Sequence, residues 1–482
     1  MSLAAENPSP LADFRARLAA ESAVAVLRRG LIGEDAVVPG PFGEKRLVYA
    51  DYVASGRALM QVEEFVLREL LPYYANSHTE ASFCGGYVTR LRREARATIL
   101  RFCNAGAAHA VIFAGNGATT GINRLVNLLG VRQTAAAGAG ARVIIGPYEH
   151  HSNILPWRES GAEIVEIEEA PGGGPDRDRL EAVLHQPSAP ELTVCSFSAA
   201  SNVTGIVADV RAISRQVKAA GALMVWDYAG AGPYVPIDVA DYIDAVVVSP
   251  HKFVGGPGAS GVLIVRRDAV VADKPTWPGG GTVSFVSPWG HDYSASLEAR
   301  EEAGTPNVIG DIRAALAFLV KEAIGADFMA VRNEWLAGRA MRRLLDIPNL
   351  EMLGSTTATR LPIFAFRIRD GHGGHVHQQL VTRMLSDRFG IQARGGCACA
   401  GPYVHRLLGI DEVRSNGLRA AIRSGQEIEK PGFTRFNLSV LLSDEKVDYI
   451  LDSIATLADD VGAYVPFYEA DPARAIFSPR GP

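Results

Sequence analysis

The chain has 482 residues, 48% of them hydrophobic and 21% charged, with a formal net charge of −5. That composition is ordinary for a globular protein and allows two domains with sizeable cores; Lys and Arg are scattered, so neither nucleic acid nor an anionic membrane is an expected partner. No stretch is apolar enough to span a bilayer, MSLAAENPSPLADFRARLAAE lacks a basic start followed by an apolar core, and five cysteines do not read as a disulfide framework, so a reducing cytoplasm is the expected compartment.

Along the chain, short β-rich runs alternate with helical patterns. Residues 111–113, 143–145, 192–197, 223–226 and 245–248 are apolar or β-branched runs bounded by turn residues, which predicts strands buried on both faces of a mostly parallel sheet. After the first run, Ile122, Leu125, Val126 and Leu129 recur at the spacing of one helix face. The Ala/Gly stretches 134–141 and 171–174 are expected to be surface loops. Past about residue 310 the helices lengthen, 361–368 reads as a strand, and Val447, Ile450, Leu451 and Ile454 mark a final helix behind Ser443 as N-cap. The class is α/β, with a large domain over 45–310 and a smaller C-terminal domain over 311–482 on which part of 1–44 packs.

In an open α/β sheet, ligands sit outside the carboxyl ends of the strands. There the chain places, in order, AGNGATT, PYEHHSN, SAASNVTG, DYAGAG and SPHK. The first offers glycines and a helix start to a phosphate, and the others bring a histidine pair, an asparagine, an aspartate and a lysine. Pyridoxal phosphate calls for that set: an amine for its aldehyde, an acid for its ring nitrogen, donors for its phosphate and a flat neighbour for its ring. Lys252, Asp227, the 116–119 loop with Ser249, and His150 can supply these in turn.

The segments AGNGATTGINRLV, EHHSNILPW, SPHKFVGGPGASGVLIV and EEAGTPNV resemble those of class V aminotransferase-fold enzymes, most closely the cysteine desulfurase and selenocysteine lyase branch. The resemblance runs from about Tyr49 to the final helix and implies fold type I of the pyridoxal-phosphate-dependent transferases. It also implies that Ala118 and Thr119 contact the phosphate with Ser249 and His251, His150 stacks on the ring, Asn202 lies by the ring hydroxyl, Asp227 pairs with the ring nitrogen and Lys252 binds the aldehyde. It implies a homodimer with a shared site, in which Thr305 donates to the partner's phosphate. In RGGCACAGP, Cys399 falls on the position of the desulfurase nucleophile and Cys397 on one often held by histidine. Arg394, Arg435 and His78 belong by the same resemblance to the substrate side.

Two departures accompany the likeness. Gly230 stands where the family usually has glutamine, and the segment 403–434 is longer than in desulfurases, which could reshape the pocket or a contact with a sulfur-acceptor protein. The expected activity is removal of sulfur from L-cysteine, giving alanine and an enzyme persulfide. The alternatives are an aminotransferase, epimerase or other lyase acting on an amino acid with both cysteines incidental, or a cofactor-binding partner in sulfur delivery without turnover. Each site residue also has a plainer reading: Asp227 as a turn cap, Asn202 as a turn former, Arg435 as a surface ion pair, His150 and still more His151 as surface histidines, and Cys399 as a small packed residue. Cys84, Cys103 and Cys195 are expected in or near the core, and CACAG lacks the spacing of a zinc-binding pair, so no metal is expected.

Overall fold

The computed structural model describes residues 9–19, 22–76, 80–186, 190–239 and 242–480. Seven strands form the principal sheet in the order His109–Phe113, Val262–Arg266, Ala245–Val248, Leu223–Asp227, Leu192–Ser198, Ala141–Ile145, Glu163–Glu166. The strands from Ala245–Val248 to Glu163–Glu166 pair in parallel, and Val262–Arg266 is antiparallel to both its neighbours. The apolar runs are continuous because both faces are covered. Val246 and Val248 join a core with the helices Phe83–Phe102 and Val308–Ile324, whereas Ala245 and Val247 join a second core with Ala118–Leu128. Burying one such valine contributes about 1.5–3 kcal/mol. Gly121 lets the helix Ala118–Leu128 press against the sheet, since a Cβ there would lie 2.6 Å from Val247 Cγ1.

A second, antiparallel sheet runs Leu350–Met352, Ile363–Ile368, Phe433–Asn437, Arg394–Gly396. Its core is shared with the helices Ala326–Leu345, Gln378–Phe389 and Asp444–Tyr464. Ser443 caps the last of these by accepting from the Lys446 amide at 3.3 Å. Near the N-terminus, Leu11, Phe14 and Leu18 pack in the core of the large sheet, whereas Phe42, Val48 and Ala50 join that of the small one. The strand Val48–Tyr49 pairs with Ile391–Gln392 and carries the chain from one core to the other.

One expectation needs correcting. The stretch 134–141 is not a loop throughout: the helix Val131–Ala136 takes its first residues and the strand Ala141–Ile145 its last. Alanine is the best helix former, so an Ala-rich run beside a helix extends it, leaving the turn to the glycines. Among the described residues no helix is long and apolar enough to cross a membrane.

Candidate active site

The carboxyl ends of the parallel strands face the edge of the small sheet across a cavity of about 430 Å³. The strand Ala245–Val248 turns back through 249–261 into its antiparallel neighbour Val262–Arg266, so Ser249, His251 and Lys252 lie on the connection at that end. Ala118, Thr119, His150, Asn202 and Asp227 reach the same cavity from the neighbouring strand ends, and Arg394, Cys397, Cys399 and Arg435 from the small sheet.

At the start of the helix Ala118–Leu128, Gly117 has φ +82°. A Cβ there would lie 2.7 Å from Ser249 Oγ and 2.9 Å from His251 Cε1, so only glycine fits both the conformation and the space. Ser249 Oγ accepts from the Ala118 amide at 3.1 Å, and Thr119 Oγ1 lies 2.6 Å from Ser152 Oγ. The Ser152 amide donates to His150 Nδ1 at 3.1 Å, leaving Nε2 to carry the proton of the neutral ring. Burial, helped by the charge of Lys252, holds His150 down to about 3 and His251 to about 4.

Asp227 is buried at the end of its strand, its Oδ1 accepting from the Ala229 amide at 2.7 Å. Burial raises its pKa, while that hydrogen bond and Lys252 pull the other way. Lys252 is pushed below the usual lysine range by burial first, with Asp227 opposing. The lysine, the acid and the neutral histidines form one coupled set.

The small-sheet wall follows from strand register. Arg394 sits directly opposite Arg435 on adjacent strands, which places two guanidiniums side by side. Like charges so placed repel, and one buried carboxylate resolves the conflict: Asp51 Oδ2 accepts from Arg394 Nε at 2.9 Å and its Oδ1 from an Arg435 guanidinium nitrogen at 2.8 Å. A second guanidinium nitrogen of Arg435 donates to the Asn202 carbonyl at 2.9 Å, and burial lowers the Arg435 pKa.

The cysteine segment is a tight turn rather than an extended loop. Ala398 and Cys399 have φ of +49° and +54°, and the Ala400 amide donates to the Cys397 carbonyl at 3.1 Å, the arrangement of a type I′ turn. Neither residue is a glycine, so the turn is strained and must be held. Asn202 Nδ2 donates to the Ala398 carbonyl at 2.8 Å, and the His151 amide donates to the Cys399 carbonyl at 2.7 Å. His151 Nε2 in turn accepts from the Gly401 amide at 3.0 Å.

Asp51, His151 and Ser152 are among the residues that sequence reasoning missed as parts of this site. His151 had a usable signal in its place beside His150 at a strand end; Asp51 had none, since its partners lie more than 300 residues away. Thr305 sits on an exposed turn outside the cavity lining, and His78 lies outside the described residues. Gly230 lines the cavity, and a Cβ there would meet the Ala200 carbonyl at 3.4 Å and Asn202 Cβ at 3.5 Å, ordinary contacts that leave room for a side chain. Cys103 and Cys195 are buried elsewhere and Cys84 is half-buried.

The cavity suits pyridoxal phosphate on structural grounds. Among the described residues Asn202 Oδ1 is buried without a protein partner, and Gly117 opens a cradle beside the first amides of a helix and the Ser249 hydroxyl. A lysine and an acid at the carboxyl edge of an α/β sheet fit what a pyridoxal-phosphate enzyme needs. The chain matches the sequence pattern of the aminotransferase class-V family over residues 48–448 and belongs to that family, whose members depend on this cofactor. It is 32% identical over 369 residues to a probable cysteine desulfurase of Streptomyces coelicolor, covering 75% of this chain and 85% of that one. It is 31% identical over 364 residues to a cysteine desulfurase of Enterobacter sp., covering 74% and 85%. Among solved structures, the apo cysteine desulfurase of Thermococcus onnurineus shares the fold at a TM-score of 0.73 and 24% identity, over 90% of this chain and 97% of that one. The cysteine desulfurase CsdA of Escherichia coli does so at 0.70 and 23%, over 91% and 98%.

Proposed function

We propose that the chain is a pyridoxal-phosphate-dependent cysteine desulfurase that takes sulfur from L-cysteine, leaving alanine and a persulfide on Cys399. The observation that carries this reading is a single cavity lined by Lys252, Asp227, two arginines and an exposed cysteine on a strained turn. An aminotransferase or epimerase would leave that thiol idle.

In this reading Ala118, Thr119, Ser249 and His251 hold the cofactor's phosphate, His150 flanks its ring, Asp227 pairs with its ring nitrogen, Asn202 lies by its hydroxyl and Lys252 binds its aldehyde. When bound, the cofactor supplies an electron sink that loosens bonds at the substrate's α-carbon and, through it, the bond to sulfur. Burial lowers the hold of Lys252 Nζ on its proton, so this amine can take and return a proton beside the substrate. Arg394 and Arg435 receive the substrate carboxylate. Two guanidiniums against the single carboxylate of Asp51 leave one positive charge for it, and Asp51 keeps both forks oriented. Cys399 lines the same cavity as Arg394 and is the sulfur-accepting nucleophile in this reading.

The proposal extends to a cytoplasmic homodimer in which Thr305 reaches the partner's phosphate, and to delivery of sulfur to an acceptor protein. It keeps a large domain over 45–310 and a smaller one over 311–482, with the helix Val308–Ile324 at their junction packing on the large-sheet core. Purified protein is given single amino acids while sulfide, alanine and keto acids are assayed. Sulfide and alanine are expected from cysteine, and Cys399→Ser should abolish sulfide while keeping the cofactor's visible band. Normal sulfide release by that variant, or keto acid as the main product, removes the persulfide route.

A further inference from the structure

Two thiols line the cavity, and the reaction proposed above uses only one. Cys397 and Cys399 occupy the first and third positions of the same left-handed turn, the first half-buried against the apolar cluster of Tyr148, Val203 and Tyr403, the second exposed. The turn is closed by the Ala400 amide on the Cys397 carbonyl, and Asn202 and His151 pin its other carbonyls, so the two residues are kept in fixed relation. Positive φ at both central residues curls the chain and brings residues two apart closer together than in an extended strand, toward the short Cα separations that a disulfide takes. No other cysteine lines this cavity among the described residues.

We propose that Cys397 is a resolving thiol that discharges the Cys399 persulfide as sulfide when no acceptor takes it. The idea rests on the desulfurase reading, which supplies the persulfide. The Cys397 thiolate attacks Cys399 Sγ, the bond from that atom to the outer sulfur breaks, and its electron pair leaves with hydrosulfide. A Cys397–Cys399 disulfide remains. The two electrons that the thiols lose are those that the outer sulfur gains, so this step needs no external oxidant. The next turnover then needs a dithiol reductant, which places the enzyme in a sequence that couples sulfide production to thiol–disulfide exchange.

The turn geometry favours this step. A disulfide closed across so short and exposed a turn would be easily reduced, as a regenerating link must be. Cys103 and Cys195 cannot substitute, since both are fully buried and burial raises their thiol pKa values.

The test uses holoenzyme that has been reduced, freed of thiol and given one equivalent of L-cysteine without reductant. In the wild type, alanine and a matching amount of sulfide should form, the peptide carrying both cysteines should become lighter by two hydrogens, and turnover should stop until a dithiol is added. Cys397→Ser should form the same alanine, release no sulfide, and keep the peptide heavier by one sulfur atom. A wild-type peptide that stays heavier by one sulfur and loses no hydrogens overturns the proposal. Should neither protein form alanine, the desulfurase reading has failed by itself. The resolving role is then decided by loading Cys399 directly with inorganic polysulfide: a wild-type peptide lighter by two hydrogens supports it, and a stable added sulfur refutes it.

Discussion

On the large-sheet wall of the cavity the left-handed backbone falls on a glycine, Gly117 at φ +82°; on the small-sheet side it falls on Gly396 at +126° and then on two residues that carry a Cβ, Ala398 and Cys399, at +49° and +54°. Glycine adopts that conformation without steric cost, whereas each L-residue with a Cβ stores roughly 1–2 kcal/mol there. The contrast follows the division of labour proposed for the two walls. The phosphate cradle uses glycine where its backbone needs it, and its contacts join the ends of sheet strands, as from the Ala118 amide to Ser249 Oγ. The cysteine turn has to present a thiol at its tip, cannot use glycine there, and borrows its rigidity from Asn202 and His151 on the opposite wall. Strain at the reacting group and hydrogen bonds from afar belong together.

The largest expected effect breaks the relaxed wall. Lys252→Ala should lower sulfide release by at least about 10²–10⁴-fold, the range that a positioned proton-transfer group supplies, and should remove the covalent attachment that borohydride fixes on the Lys252 peptide. A label on another lysine would move the cofactor elsewhere and dissolve the comparison.

Asp51→Asn comes next, on the strained wall. It leaves Arg394 and Arg435 side by side with no anion between them, and the Arg435 side chain is only 3% exposed. Breaking a buried pair by removing one partner costs about 3–5 kcal/mol, somewhat less here because Arg394 keeps access to solvent. The urea midpoint should fall and KM for cysteine should rise as the arginine forks lose their alignment. An unchanged midpoint would mean that Asp51 does not hold this wall together.

Much of the relaxed wall could be read from sequence, because its residues sit next to the strands that position them: Lys252 follows Ala245–Val248 and Asp227 ends its own strand. The strained wall could not. Asp51 meets Arg394 across 343 residues, and the pairing depends on strand register that no local pattern encodes. Nor does CACAG announce two positive φ values, since Ala and Cys carry no left-handed preference, and both thiols line the cavity because of that turn. His151 looked like a surface histidine because what it holds is the backbone of a distant turn.

Acidification probes the relaxed wall more gently. His150 and His251 are held to about 3 and about 4, below the value of about 6.5 in the unfolded chain. Between those limits the unfolded state binds more protons, so their contribution is fully present above about pH 6.5 and is lost as pH falls toward 4, by at most about 1.4 kcal/mol per pH unit for each ring. Buried Glu149, raised to about 7, contributes with the opposite sign over part of that window, so the informative quantity is a difference. The pH slope of the urea midpoint from 7.5 to 5 should be shallower in His251→Gln than in the wild type. Equal slopes would show that the ring is not kept neutral by its surroundings.

The smallest effect is also the most direct measure of the difference between the walls. Ala398→Gly removes the steric cost of φ +49° at one central turn position, worth roughly 1–2 kcal/mol, but the freer unfolded chain takes back about 0.5–1 kcal/mol. A net gain of about 0–1.5 kcal/mol in stability should therefore appear in the urea midpoint. The Asn202 bond is made to the residue 398 carbonyl and survives the change, so the turn keeps its shape in the folded protein. If stability falls instead, Ala398 contributes more by packing against the cluster around Tyr148 and Tyr403 than it stores as strain, and the two walls differ in contacts rather than in backbone conformation.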